Sequence, residues 1–568
     1  MNLENSPFYH LLETNHAASR AETEHILEFL RLPEQELQNV NEEITRLDTL
    51  LNALRSRREK LVSYIHKHRQ LLSPIRRLPA EIIAELFTFC LPATHPPTRD
   101  LSEPPLLLTL VCKQWREIAL STPCLWSALH IYIPHSRVSD ENFLERRKNG
   151  IKQWLERSGN LPISLSLTHR CPSYDPDNQE SLFQHYSKDS PLSSLMECLI
   201  EYSPRWKNLS LSVPDGALRL IGAVPPEKLG ILQRLFVNTP NYPRSLPMRG
   251  LEKSFAALLV RLPRLTSLHI REHSMLQFQS GFQWSKLTEL SVLPRDYTDY
   301  DSMLYFPDIM RLLSQTPGLR VCKVVIRLDR LNVSPAEYRV TLPLLRDLTL
   351  LFSNNYEPPL AWAQSLTTPS LAKLTISTVW GYDNIVATHP FFRELLLKLL
   401  GDSSTSMETL HIAITMPLPD LVCCLQLIPR LRSLIIGFVR HDKDQKRRSF
   451  IFPGRREVDL IGMLSGSSAI VVDNANAAAK SQSSSESLVL PLCPELQTLK
   501  FLGMKSPPTP SAFLNLIRSR REYSSLYSSQ NSDPDSCKCC ALRTLEVYCP
   551  WACNRDNASQ RSWKRSSN

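Results

Sequence analysis

The chain has 568 residues, 42% hydrophobic and 21% charged, a globular balance in a length too great for one ordinary core, so several domains or a repeat array are expected. Only 15 glycines against 43 prolines argue against glycine-rich phosphate or dinucleotide loops and for many abrupt element ends. The excess of 66 basic over 56 acidic residues is spread out: RSRREK (55 to 60), DKDQKRR (442 to 448) and RSRRE (518 to 522) read as solvated faces, and nucleic acid is not expected as a partner.

The opening MNLENSPFYHLLETNHAASR lacks a basic start followed by an apolar core, so residues 1 to 33 are expected to form a flexible N-terminus, not a signal peptide. No apolar run reaches the ~18 residues of a membrane span. The expected compartment is cytoplasmic or nuclear, where the 14 cysteines stay reduced. Cys90, Cys112 and Cys322 fall on apolar stripes and are expected to pack as small hydrophobes.

From 34 to 72, bounded by Pro33 and by Ser73-Pro74, the residues Leu37, Val40, Ile44, Leu47, Leu51, Leu54, Arg58, Leu61, Ile65 and His68 recur at alternating steps of three and four. That is the seam of a coiled coil. Two alternatives stand: self-association, with Arg58 and His68 weakening the C-terminal half of the seam, or one amphipathic helix folded back on the next domain.

Residues 73 to 135 read as a small all-α domain. After Leu78, Pro79 suits a first helical position and Glu81 suits the first turn. Ile82, Ile83, Leu86, Phe87 and Cys90 then make one apolar stripe, ended by Pro92. The loop ATHPPTRDLSEPP (93 to 105) is polar and proline-rich. In LLLTLVCKQWREIALS the residues Leu108, Val111, Cys112, Trp115, Ile118 and Ala119 fall on one helical face, and Thr122-Pro123 looks like the start of another short helix carrying Leu125 and Trp126. Helices this short bury little area unless a partner covers them.

LPAEIIAELFTFCL followed by LVCKQWREIALSTPCLW resembles an F-box, whose pattern is Leu-Pro, an apolar helix, Val-Cys-Lys-x-Trp-Arg and a trailing Leu-Trp. The match covers about a tenth of the chain, and the loop between its helices is longer than in the shorter members. The resemblance implies docking on the adaptor subunit of an SCF-type cullin–RING ubiquitin ligase. Leu78, Pro79, Ile82, Ile83, Leu86, Phe87, Val111, Cys112, Trp115, Leu125 and Trp126 match the positions that build the F-box core and its adaptor-facing surface.

From 136 to 568 a short unit recurs: leucine, two residues, leucine, one residue, an apolar residue. It appears as LTSLHI (265 to 270), LTELSV (287 to 292), LRDLTL (345 to 350), LAKLTI (371 to 376), LRSLII (431 to 436), LQTLKF (496 to 501) and LRTLEV (542 to 547). Weaker copies are WKNLSL (206 to 211), LQRLFV (232 to 237), LRVCKV (319 to 324) and METLHI (407 to 412). Their spacing brackets the period of leucine-rich repeats, and the alternation within each suits a short strand. Apolar runs such as FAALLVRLP (255 to 263) and FFRELLLKLL (391 to 400) suit returning helices. The expectation is an α/β chain ending in an irregular leucine-rich-repeat solenoid, since the asparagine or cysteine of regular repeats is mostly absent. A serine-rich, low-complexity insertion interrupts it near 437 to 490.

No catalytic or cofactor motif stands out. CKCC (537 to 540) with Cys549 and Cys553 invites a zinc reading, but no CxxC pair is present and LRTLEV runs through the cluster, so unligated thiols and no metal are expected. The sequence thus points to a non-catalytic substrate receptor: the F-box-like segment on the ligase adaptor, the repeats on a target protein. The alternative is a scaffold that self-associates through the coiled coil and binds protein or nucleic acid without a ligase.

Overall fold

A computed structural model describes residues 6–12, 14–134, 140–170, 191–213, 215–238, 258–259, 262–271, 282–294, 303–327, 339–353, 359–378, 390–414, 416–437, 457–465, 491–502, 510–530 and 540–548. It divides into two compact units, 1–86 and 87–568, with the boundary inside the helix Ala80–Phe89.

The first unit is dominated by the helix Arg20–Leu71, about 78 Å long at 1.5 Å per residue. It starts at a capping box. The Ser19 N–H donates to Glu22 Oε2 (2.8 Å) and the Glu22 N–H donates to Ser19 Oγ (3.4 Å). The bond from the Ser19 amide, with those from the Ser19 and His16 side chains, holds the Glu22 carboxyl down at about 2. The helix therefore begins upstream of the limit expected at Pro33 and carries that proline in its interior. A proline there removes one N–H bond, and the box at Ser19 supplies a start one turn after another before it.

The second unit is built on strands β1 (Ala128–Pro134), β2 (Ile163–Arg170), β3 (Trp206–Ser212), β4 (Arg234–Asn238), β5 (Ser267–Arg271), β6 (Glu289–Leu293), β7 (Leu304–Tyr305), β8 (Val321–Arg327), β9 (Val340–Thr341), β10 (Asp347–Phe352), β11 (Leu366–Thr367), β12 (Lys373–Thr378), β13 (Thr409–Ala413), β14 (Ser433–Gly437), β15 (Thr498–Leu502) and β16 (Thr544–Tyr548). Among the described residues they form a 14-stranded sheet in the order β1-β2-β3-β4-β5-β6-β8-β10-β12-β13-β14-β15-β16, with β7 also on β8 and β9 paired with β11. Every pairing is parallel, and along the main path each strand lies beside its neighbour in the chain.

Every copy of the leucine-patterned unit supplies one of these strands, and the register explains why the pattern recurs. Leu235, Leu268, Leu290, Cys322, Leu348, Leu374, Leu410, Leu434, Leu499 and Leu545 are successive partners across the sheet. A second row two residues on runs from Val237 and Ile270 to Phe501 and Val547. Successive side chains of a strand point to opposite faces, so both rows share one face. Burying each such side chain contributes about 1.5–3 kcal/mol, which no single unit could gather alone. Cys322 takes a leucine position fully buried, and burial pushes its thiol up to about 12.

In most copies the first leucine lies before its strand and is buried as well, as Leu265, Leu345 and Leu431 show. The residue after it supplies a carbonyl that accepts two N–H bonds from the next unit. Gln233 O receives Thr266 and Ser267 (2.9 and 3.0 Å), and the same pair recurs through Thr266, Thr288, Arg320, Arg346, Ala372, Glu408 and Arg432 to Gln497 O, which receives Arg543 and Thr544. Because backbone makes these bonds, that position tolerates any residue that keeps its N–H, which excludes proline alone.

The leucine face is covered by returning helices. Pro390–Asp402 buries Phe391, Phe392, Leu395, Leu396, Leu399 and Leu400, and its two phenylalanines meet Phe352 of β10 edge-on at 6.1 and 5.2 Å. Of FAALLVRLP, most lies outside the described residues.

β1 and β2 carry no copy of the unit, although LHIYI and ISLSL alternate as strands should. β1 has an outer edge, and the long loop after Pro92 covers it: the His130 N–H donates to Pro97 O at 2.7 Å. Arg99 from the same loop lies over Gly150 in the helix Glu141–Arg157, where an added Cβ would overlap its guanidinium. The length of this loop is thus used to cover the open edge of the sheet.

RSRRE is not uniformly solvated. Arg520 is fully buried in the helix Pro510–Gln530. Its Nε donates to Leu464 O (3.0 Å), Nη2 to Leu492 O (2.7 Å) and Cys493 O (2.9 Å), and Nη1 to Pro494 O and Leu496 O (both 3.4 Å). One guanidinium so ties the end of the helix Glu457–Leu464 to the turn before β15, where Cys493 adopts φ 51°. DKDQKRR lies outside the described residues.

Candidate interaction surfaces

In the first unit, Pro74–Arg77 forms a 3-10 turn and Leu78 is extended (φ −74°, ψ 139°). Leu78 is half-buried and Pro79 exposed. The helix beginning at Ala80 then sorts its apolar residues: Ile83 is fully buried, while Ile82 is 49% and Leu86 43% exposed. Ile82 and Leu86 are one turn apart, on the same side of the helix.

In the second unit, Phe87 is buried and meets Trp115 edge-on at 4.9 Å. The expected single helix through Val111, Cys112 and Trp115 is broken. Leu108–Val111 is one short helix and Lys113–Leu120 another, because Cys112 is extended (φ −158°, ψ 169°) and caps the second, its Sγ accepting from the Trp115 N–H at 3.5 Å. The break turns Val111 outward at 55% exposure and leaves Cys112 exposed. Cys90 is exposed too, so of the three cysteines expected as small hydrophobes only Cys322 is buried. Leu107 and Leu110 are exposed on the same short turn as Val111.

Leu125 and Trp126 are fully buried. The Trp126 N–H donates to Ala119 O (2.8 Å), its ring meets Trp154 at 4.8 Å, and Arg157 lies over it at 4.6 Å. Trp154 in turn donates to Ala128 O in β1 (3.1 Å). The closing Leu-Trp therefore belongs to the core of the sheet unit, and the boundary expected at 135 does not separate them.

The sheet face opposite the leucine rows is a second surface, which the sequence reading did not resolve into residues. Glu289 accepts from Ser267 Oγ (2.7 Å) and pairs with Arg234 (3.4 Å); Lys373 pairs with Asp347 (2.8 Å) and Lys500 with Glu546 (2.9 Å). Among the described residues Lys323 forms no ion pair of its own, Asp347 being held by Lys373, and burial together with the Arg271 and Lys373 charges pushes its amine down against the opposing pull of Asp347. His269 and His411 on the same face are also lowered, chiefly by burial.

Among the described residues no group of three metal-ligating side chains comes together, and no helix is long and apolar enough to cross a membrane. Of the cysteine-rich stretch, Cys540 is described, its N–H donating to Pro494 O at 2.8 Å; Cys537, Cys539, Cys549 and Cys553 lie outside the described residues. No family model matches the chain, and no curated protein sequence matches it.

Proposed function

We propose that the protein is a non-catalytic substrate receptor of an SCF-type cullin–RING ubiquitin ligase. The F-box-like segment docks on the adaptor subunit, and the sheet unit, a leucine-rich-repeat solenoid, holds a target protein so that ubiquitin transfer is accelerated by proximity. The observation that carries the reading is the sorting of the Leu-Pro helix: Ile83 is fully buried, but Ile82 and Leu86, large aliphatic side chains in the F-box pattern, remain 49% and 43% exposed. Exposed aliphatic residues at helical spacing are what a partner's groove takes up. The polar sheet face, with Lys323 at its middle, supports target capture there, because its side chains are free of the core that the leucine rows build.

The test is co-expression of the full chain with the adaptor, followed by size-exclusion chromatography at moderate salt. Co-elution is expected, and Ile82→Glu with Leu86→Glu is expected to abolish it while leaving the chain's far-ultraviolet circular dichroism unchanged. A folded parent chain that elutes without the adaptor would overturn the reading.

A further inference from the structure

We propose that the leader helices of two copies of this chain pair antiparallel, in a register centred between Thr45 and Arg46. The proposal is independent of the ligase reading. In the single chain the seam is bare: Leu37, Ile44, Leu51 and Leu54 are 44–60% exposed. A second copy is singled out as the occupant by charge. Glu34, Glu36, Glu42, Glu43 and Asp48 crowd the first half of the seam, and Arg55, Arg57, Arg58 and Lys60 the second. Parallel pairing in register sets each half against its like, with Glu43 beside Asp48 of the second copy. Antiparallel pairing sets acid against base.

The register follows from the residues flanking the seam. Centring the pair between Thr45 and Arg46 places Leu37 against Leu54, Val40 against Leu51 and Ile44 against Leu47 of the second copy, each contact made twice by symmetry. It also brings Glu34 to Arg55 and Glu36 to Arg57. Among the described residues these four exposed side chains have no ion-pair partner, whereas Glu43 already holds Arg46 at 2.8 Å. The two residues that misfit a parallel seam find places: His68 lies opposite Thr23, and Arg58 opposite Pro33, whose missing N–H leaves the Phe29 carbonyl as an acceptor. The continuation of the helix to Arg20 is what makes both contacts available.

The test is the molar mass of the full chain by size-exclusion chromatography with light scattering near 0.1 M salt. The parent is expected as a dimer. Glu34→Arg with Glu36→Arg turns four attractive contacts repulsive and is expected to weaken the dimer roughly a hundredfold or more; adding Arg55→Glu and Arg57→Glu restores it. A monomeric parent, a charge-swapped pair of substitutions that dimerises like the parent, or a fourfold variant that stays monomeric would each overturn the proposal.

Discussion

Replacing Trp126 with alanine tests whether the short helices before β1 and the sheet share one core. Truncating a fully buried tryptophan costs about 3–5 kcal/mol in transfer and cavity terms. At Trp126 the loss includes the edge contact to Trp154 and the bond to Ala119 O, and Trp154 passes it to β1 through Ala128 O. The opening free energy of β1 and β2 should fall by the same amount, so the His130 and Ser164 amides, which bond to Pro97 O and Ser127 O, should exchange with solvent faster by roughly two to three and a half orders of magnitude. Trp126→Phe keeps a ring against Trp154 and forfeits the hydrogen bond, worth about 1 kcal/mol, or roughly fivefold in exchange. Protection of β1 and β2 within about tenfold of the parent in Trp126→Ala would show two separate cores and refute the reasoning.

Three further outcomes can be checked by urea denaturation. Gly437→Ala should cost about 3 kcal/mol, since Gly437 adopts φ 120° and an added Cβ would overlap the Leu502 carbonyl across β14 and β15; an unchanged midpoint contradicts the strand geometry. Arg520→Met should cost on the order of 4 kcal/mol by stranding buried carbonyls, while the exposed Arg518→Met stays within about 0.5 kcal/mol; equal effects would mean that Arg520 is solvated. Acidification should destabilise the second unit. His130, His269 and His411 are lowered from the ordinary imidazole range, chiefly by burial, with His95 and Arg147 near the first, Arg234 and Lys323 near the second and Lys373 near the third. Below about 6.5 the unfolded chain therefore binds more protons than the folded one, and stability rises with pH through that window. A midpoint higher at pH 5.5 than at pH 7.5 would contradict this.

The strands were legible because Leu-x-x-Leu-x-Leu records three buried positions in a fixed register, as Leu345, Leu348 and Leu350 do. β1 and β2 were missed because they begin without the leading leucine, Trp126 and Pro162 standing three residues before Leu129 and Leu165. The break at Cys112 was invisible: its neighbours suit a helix, and only the cap on Trp115 sets it in extended backbone. Arg520 was misread for a similar reason. Its acceptors Leu464, Leu492 and Cys493 lie far off in the chain, and no local pattern announces carbonyls waiting for a cation. On the Leu-Pro helix, position alone does not tell Ile82 from Ile83; the surrounding packing does.

The register, unshifted from β4 to β16, also sets how freely the chain can lengthen between strands. Ser433 pairs with both Thr409 and Thr498, yet the first lies about 24 positions away and the second about 65, a difference that adds only about 0.9 kcal/mol of loop-closure entropy. Material can be inserted there without moving a hydrogen bond of the sheet. New binding determinants can accordingly be acquired or discarded between these strands while the framework folds as before, so such sheets should diverge by length at their connections sooner than by substitution in their rows.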